Sequence, residues 1–249
     1  MKKDILMLDC DGTCILGRTK GMTDFTYETL QKAQEKFYVV FNTGRNLKQF
    51  FEVVKQGIGD YVGCLNGKAL YDLKNKKYIY TDTNKFSRAE IDKILELAGN
   101  FDEVNSYFFQ TTNYYDNTLK EQNADDILKY IALSNNMEQI EELYSLIEKE
   151  FKGYFFEFAR IGGKSGKWIE LWKTQSNKRD LIQLVRDQLV ESGKLYYFGD
   201  SDNDIEAIKL ADYKVVPQNA IDEIKQIADI ILPHTCSEDG VAKYIQTLL

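Results

Sequence analysis

Along its first third the chain alternates two hydrophobic rhythms. Short continuous apolar runs, at 4–9 and in "FYVVFNT" at 37–43, are too brief for helices and predict buried strands. Between and after them apolar positions return every three or four residues. That spacing predicts a helix at about 24–36 and another from about 46, with Gly57 as its C-terminal stop. "YVGCLNGKALYD" predicts two strands joined by a turn at Asn66-Gly67. Runs buried on both sides that alternate with helices indicate a parallel sheet covered on both faces.

The rhythm changes after about residue 82. "SRAEIDKILELAG" predicts a helix opened by a capping box from Ser87 to Glu90, and "MEQIEELYSLIEKEF" a second helix. Around them Tyr, Phe and Thr alternate in "EVNSYFFQTTNYYDN", "YFFEFARIGG" and "KWIELWKT", as in a half-exposed antiparallel sheet backed by helices. The first rhythm then resumes. "NKRDLIQLVRDQLVES" and "DIEAIKLA" read as helices, as do segments at about 220–227 and 239–248, and "KLYYFGDSDND", "YKVVPQ" and "ADIILP" hold strands. The expected fold is α/β: a doubly wound, Rossmann-like parallel-sheet core made of 1–82 and 173–249, with an inserted α+β domain at 83–172.

Composition alters this picture little. With 249 residues, 43% hydrophobic and 29% charged, the chain has ordinary globular proportions. A net charge of −7 and no Lys/Arg-rich run argue against a nucleic-acid partner. No apolar run approaches the ~18 residues of a membrane span. The run in "MKKDILMLDCDG" is broken by Asp9 after four residues, so no signal peptide is expected. Cys10, Cys14, Cys64 and Cys236 show neither CxxC nor zinc spacing, and are expected to be reduced, buried residues of a cytoplasmic protein.

Candidate chemistry gathers where strands end, which is where open parallel sheets bind ligands. Asp9, Asp11 and Thr13 follow the first strand, Thr43, Gly44 and Arg45 the second, and Asn66-Gly67 the third. "GDSDND", with Asp200, Asp202, Asn203 and Asp204, follows the resumed strand. Carboxylates so close repel one another unless they share a cation, and oxygen donors suit Mg²⁺. Thr43 and loop amides are suited to a phosphoryl group, with a lysine to offset its charge, and a carboxylate beside bound phosphate is a candidate nucleophile.

At these residues the chain resembles the haloacid dehalogenase superfamily of phosphotransferases. "DCDGT" resembles its first motif, DxDGT; "NTGR" its second; and "GDSDND" its fourth, GDxxND. Lys178 in "SNKRDLI" meets the third, a lysine at a helix start, although Arg179 stands where a small residue is usual; Lys173 is the reserve. "CLNGKALYD" and "EDGVAKYI" resemble the Cof-type branch, whose α/β cap is inserted between motifs two and three.

The resemblance implies that Asp9 is the nucleophile and that Asp11 is the acid/base, with a backbone carbonyl for the metal. It implies that Thr43 and Lys178 hold the phosphoryl oxygens, that Asp200 completes a Mg²⁺ site with Asp9 and Asp11, and that Asn203 and Asp204 support it. Arg45 and Asn66 are expected near the phosphate, along with Gly12 and Gly44.

Other patterns carry less. "IGGKSGKW" fails as a phosphate-binding loop because Gly162 to Gly166 is one residue short and Trp168 replaces Ser or Thr, so it is expected to be a hairpin turn with Lys164 and Lys167 in solvent. "DSDNDI" fails as a calcium loop at Ile205 and Ala211. His234 reads as a loop residue, and Tyr107, Phe108, Phe109, Tyr114 and Tyr115 as packing.

The expected protein is a Mg²⁺-dependent phosphatase of small phosphorylated metabolites, sugar phosphates first and nucleotide or cofactor phosphates next. The core binds phosphate, the cap selects the leaving group, and no membrane or obligate protein partner is implied. A phosphomutase on the same core is the nearest alternative. A phospho-receiver module is more distant, since it needs neither Asp11 nor an insert between Thr43 and Lys178.

Overall fold

The computed structural model describes residues 2–17, 20–116, 125–160, 167–175 and 177–249. The chain divides into two compact units, 1–81 together with 177–249, and 82–176.

The first unit is built on an eight-stranded sheet in the order β13-β12-β11-β1-β2-β3-β4-β5. Its strands are β1 (Asp4–Leu8), β2 (Phe37–Asn42), β3 (Tyr61–Cys64), β4 (Ala69–Asp72), β5 (Lys77–Thr81), β11 (Leu195–Phe198), β12 (Tyr213–Val216) and β13 (Ile230–Ile231). The six strands from β13 to β3 pair in parallel, while β4 and β5 add an antiparallel edge that the sequence reading did not anticipate as a pair. β5 lacked a signal because every residue of "KYIYT" is exposed or half-buried. In β1, by contrast, Ile5 to Leu8 are inaccessible to solvent.

Strands on one side of β1 come from residues before the second unit, and those on the other side from residues after it. The winding therefore reverses at β1, which opens a crevice beyond its carboxyl end. Helix α5 (Lys178–Gln188) lays Leu181, Ile182 and Val185 on Ile5, Met7, Val40 and Tyr197. It ends at Gln188, short of the expected span. Helix α1 (Asp24–Ala33) is capped by Thr23, and α2 (Leu47–Val53) by Asn46 with a capping box to Gln49. α2 stops at Val53, because Val54 is already extended; Gly57, the expected stop, lies in the loop beyond with φ +92°. Helix α6 (Ile205–Ile208), α7 (Asp222–Lys225) and α8 (Gly240–Leu248) complete the unit.

The second unit is a five-stranded antiparallel sheet in the order β7-β6-β8-β10-β9, with two helices. These are α3 (Arg88–Ala98) and α4 (Met137–Glu150), and the strands are β6 (Asn105–Phe109), β7 (Tyr114–Tyr115), β8 (Lys129–Ser134), β9 (Phe155–Arg160) and β10 (Lys167–Trp172). Ile91, Ile94 and Leu95 of α3 and Ile140, Leu143 and Ile147 of α4 meet Phe108, Tyr130, Ala132, Ile169 and Leu171 in one core. The expected packing aromatics divide by strand alternation: Phe108 and Tyr115 join this core, whereas Tyr107, Phe109 and Tyr114 lie on the other face. Gly162, Lys164 and Gly166 fall outside the described residues, and Lys167 opens β10, where it pairs with Glu141. No helix among the described residues is long and apolar enough to cross a membrane.

Phe108 is inaccessible to solvent and sits 5.0 Å, ring to ring, from Tyr130. Phe108→Ala is expected to destabilise the protein by about 3–5 kcal/mol, whereas Phe25→Ala, at a position 38% exposed, should change it little. Urea unfolding of both variants checks this; equal losses would show that the second unit is not organised around Phe108.

Candidate active site

Lys178 is the first residue of α5 and is 1% exposed. Its helix is capped by Asn177, and its carbonyl accepts from Asn42 Nδ2 at 3.0 Å, which ties the helix start to the end of β2. The ammonium donates to Asp9, just past β1, and to Asp204 Oδ1 at 2.9 Å. Asp204 is inaccessible to solvent, and both its oxygens are engaged. Oδ1 also accepts from the Tyr197 hydroxyl at 2.8 Å, and Oδ2 from the amides of Asp200 and Ser201 at 3.2 and 3.3 Å.

Asp200 approaches from the end of β11, and its Oδ1 accepts from Thr13 Oγ1 at 2.8 Å. Gly12 makes that approach possible: its φ is +86°, and a Cβ there would overlap the Asp200 carboxylate. Asn219 Nδ2 holds the Gly12 carbonyl at 2.8 Å.

Asp11 faces elsewhere. Its carboxylate accepts two hydrogen bonds from Arg45, from Nε and Nη2, each at 2.7 Å. The pair is asymmetric in exposure, 8% for the Arg45 side chain and 44% for that of Asp11. Arg45, expected near phosphate, is therefore spent on Asp11. Thr43 is buried, and its Oγ1 accepts from the Arg45 amide at 3.2 Å. Leu65 and Asn66 both turn with φ +53°, which presents Asn66 Oδ1 to Asn203 Nδ2 at 3.3 Å. Gly44 lies against the same amide; a Cβ there would stand 3.1 Å from Asn66 Oδ1.

Burial dominates the electrostatics. It drives the Asp9 carboxyl well above its ordinary range, with Lys178 opposing and Asp204 and Asp200 reinforcing the shift. Burial also pushes Asp200 up to about 6, against the hydrogen bond from Thr13. Burial alone would lower the Lys178 ammonium, but Asp204 and Asp9 together hold it above the usual range. Tyr197 is raised by burial and by Asp204, so its hydroxyl stays a donor.

Among the described residues, Asp9, Asp200 and Asp204 each place a carboxylate oxygen within 4.8 Å of the others, a set able to hold a metal ion. Carboxylates this close repel one another unless a cation lies between them. Hard oxygen donors suit a divalent cation of the Mg²⁺ type. The engagement of both Asp204 oxygens makes Asp9 and Asp200 the better donors, with Asp204 as their support.

Most residues read from the sequence thus meet at the carboxyl ends of β1, β2 and β11, with Lys178 rather than Lys173 as the lysine. Lys173 belongs to the second unit and pairs with Glu90 at 3.0 Å. Tyr197 and Asn42 were not among the expected site residues, and Thr13 was noted at the first strand end without a role. A tyrosine inside a fully buried strand was the available signal, since its hydroxyl must find a partner. Cys10 and Cys14 are buried and unpaired by any disulfide; Cys14 Sγ donates to the Asp9 carbonyl at 3.0 Å, and its neighbour Cys10 and burial hold it well above its ordinary range.

A sequence profile described as haloacid dehalogenase-like hydrolase matches residues 6–245. Two relatives from Bacillus subtilis (strain 168), YitU and YcsE, are both described as 5-amino-6-(5-phospho-D-ribitylamino)uracil phosphatases. YitU is 24% identical over 98% of this chain and 97% of its own. YcsE is 26% identical over 97% and 94%. A haloacid dehalogenase-like hydrolase from Bacteroides thetaiotaomicron superposes with a TM-score of 0.81 at 19% identity, covering 100% of both chains.

An Asp200 carboxyl near 6, against about 3.9 when unfolded, contributes stability that is full below pH 4 and lost as pH rises through about 6. In chelator, Asp200→Asn is therefore expected to melt above the parent at pH 7.5, with the gap closing by about pH 4.5. Thermal melts at the two pH values check this; a variant no more stable at pH 7.5 would contradict it.

Proposed function

The chain belongs to the haloacid dehalogenase-like hydrolases and is a phosphatase, and on that premise we propose that it hydrolyses small phosphorylated metabolites in a Mg²⁺-dependent reaction through an aspartyl-phosphate on Asp9. The observation that carries this reading is the buried Lys178 ammonium, held between Asp9 and Asp204 with Asp200 alongside.

In this reading an Asp9 oxygen attacks phosphorus, and the bond to the ester oxygen breaks. Asp11 gives that oxygen its proton and then takes one from the water that attacks the aspartyl-phosphate, which releases phosphate and frees Asp9. Lys178 and Thr43 hold the phosphoryl oxygens, and the lysine offsets their charge without moving, because Asp204 fixes it. Tyr197 and the amides of Asp200 and Ser201 fix Asp204 in turn. Arg45 orients Asp11 by its two parallel hydrogen bonds. Bound by Asp9 and Asp200, with the Asp11 carbonyl that the family resemblance implies, Mg²⁺ would supply charge neutralisation at the phosphoryl group.

The substrate named for YitU and YcsE joins a phosphorylated ribityl chain to an aminouracil, which supports a phosphorylated sugar or polyol here, with nucleotide and cofactor phosphates next. Within this reading the second unit selects the leaving group.

Asp9→Asn is expected to lower p-nitrophenyl phosphate hydrolysis by at least about 10³-fold while the protein stays folded. Near wild-type turnover would remove Asp9 as the nucleophile. Asp11→Asn should turn over slowly and accumulate acid-stable phosphoenzyme; full activity would end its acid/base role. Chelation should abolish wild-type activity, with Mg²⁺ restoring it.

A further inference from the structure

A cavity of about 600 Å³ opens in the first unit, on the edge of the sheet opposite the catalytic residues. Its lining comes from Gln34, just before β2, from 57–60, just before β3, from the turn between β4 and β5, and from the far end of α2. Asp9 and Thr43 follow the other ends of β1 and β2, so a strand's length, roughly 15–20 Å, separates the two places. None of the lining residues enters the proposed hydrolysis.

The lining is cationic in a chain whose net charge is −7. Its charged side chains are Lys55, Lys74 and Lys76, with one carboxylate, Asp60. That carboxylate is turned to the sheet, where Oδ2 accepts from the Val39 amide at 2.8 Å, and burial raises it above the ordinary range. Lys55 is occupied by Asp24 and by the Tyr27 ring 5.3 Å away, neither of which lines the cavity. Lys74 and Lys76 form no ion pair among the described residues. Lys76 holds φ +53°, a left-handed backbone that glycine adopts at less cost. The turn thus keeps a long cation where the backbone alone favours no side chain.

The rest of the lining offers a flat apolar surface. Phe51 is 40% exposed, its ring set edge-on to Phe50 at 5.4 Å between centres. Tyr71, half-buried, packs in the same way on Tyr78 at 5.0 Å. Uncompensated cations attract an anion even to an acidic protein, and a volume of this size admits a nucleotide.

We propose that this cavity binds a nucleoside di- or triphosphate, with its phosphates at Lys74 and Lys76 and its base against Phe51. Two lysines without an arginine are mobile point charges, suited to a phosphate chain rather than to a planar carboxylate. The site is separate from the hydrolytic one and does not depend on the phosphatase reading.

The probe is adenosine 5′-(α,β-methylene)diphosphate, whose P–C–P bridge the hydrolytic residues cannot break. It is titrated calorimetrically into the full-length chain in chelator. It is expected to bind saturably, and at least about tenfold more tightly than pyrophosphate or adenosine alone. Lys76→Gly suits the left-handed backbone and should melt no lower than the parent, yet weaken the probe about tenfold. Lys74→Ala should weaken it similarly. Phe51→Leu, which keeps an apolar side chain but no ring, should weaken the probe at least about fivefold and leave pyrophosphate binding as it was. All three variants should keep the parent's turnover of p-nitrophenyl phosphate. No saturable heat would overturn the proposal. So would equal affinity for the probe in parent and variants, which would place it at Lys178 instead. A loss of turnover parallel to the loss of binding would mean one shared site, and would overturn it too.

Discussion

One ammonium taken out of water sets the terms for the first unit. A buried lysine is tolerated only with charged partners and satisfied hydrogen bonds, and Lys178 has two carboxylates for that purpose. Asp204 can be one of them because Tyr197 and two amides complete its coordination. The cluster remains unbalanced even so. With Asp9, Asp200 and Asp204 all ionised, one lysine leaves two negative charges uncompensated, an excess that adds to the burial raising the Asp9 and Asp200 carboxyls. A divalent cation would relieve it with both carboxylates ionised.

The backbone is shaped to make this crowding possible. Gly12 takes a left-handed conformation and leaves room for Asp200, while Asn42 anchors the carbonyl at the start of α5. These contacts join residues from opposite ends of the chain, so the site forms only when β11 and α5 have docked on the sheet begun by β1 and β2. The second unit is stabilised separately, by its own helices and strands.

Much of this was legible in the sequence, because strand ends and motif order are local signals. Asp9, Thr43 and Asp200 could be placed together from the rule that parallel sheets bind at their carboxyl edges, and Lys178 from the resemblance of "SNKRDLI" to the family's third motif. What escaped depends on direction in space. Nothing in "DCDGT" says that Asp11 turns toward Arg45, and nothing in "NTGR" says that the arginine is occupied. Tyr197 escaped because a buried hydroxyl and a buried ring leave the same hydrophobic trace. β5 and the early end of α2 escaped because edge exposure and a single extended valine weaken the periodic signal. In the second unit, alternation assigned residues to a sheet, but only the position of the helices decided which face was core.

Two aspartates separated by one residue at a strand end look mutually destabilising, and the resolution is geometric. Asp9 remains with the buried strand and faces Lys178, whereas Asp11, past the turn, faces Arg45 with much of its carboxylate in solvent. Each has its own cation, so the two differ in environment, as the proposed attacking group and proton carrier need to. In the proposed reaction the desolvated and held Asp9 is the nucleophile, and Asp11, in contact with water, is the proton carrier. Exchanging those environments would put the group that must exchange protons out of reach of solvent. Residues two apart on a regular strand share a face, so it is the turn after Asp9, with Gly12 at φ +86°, that sends the two carboxylates to different partners.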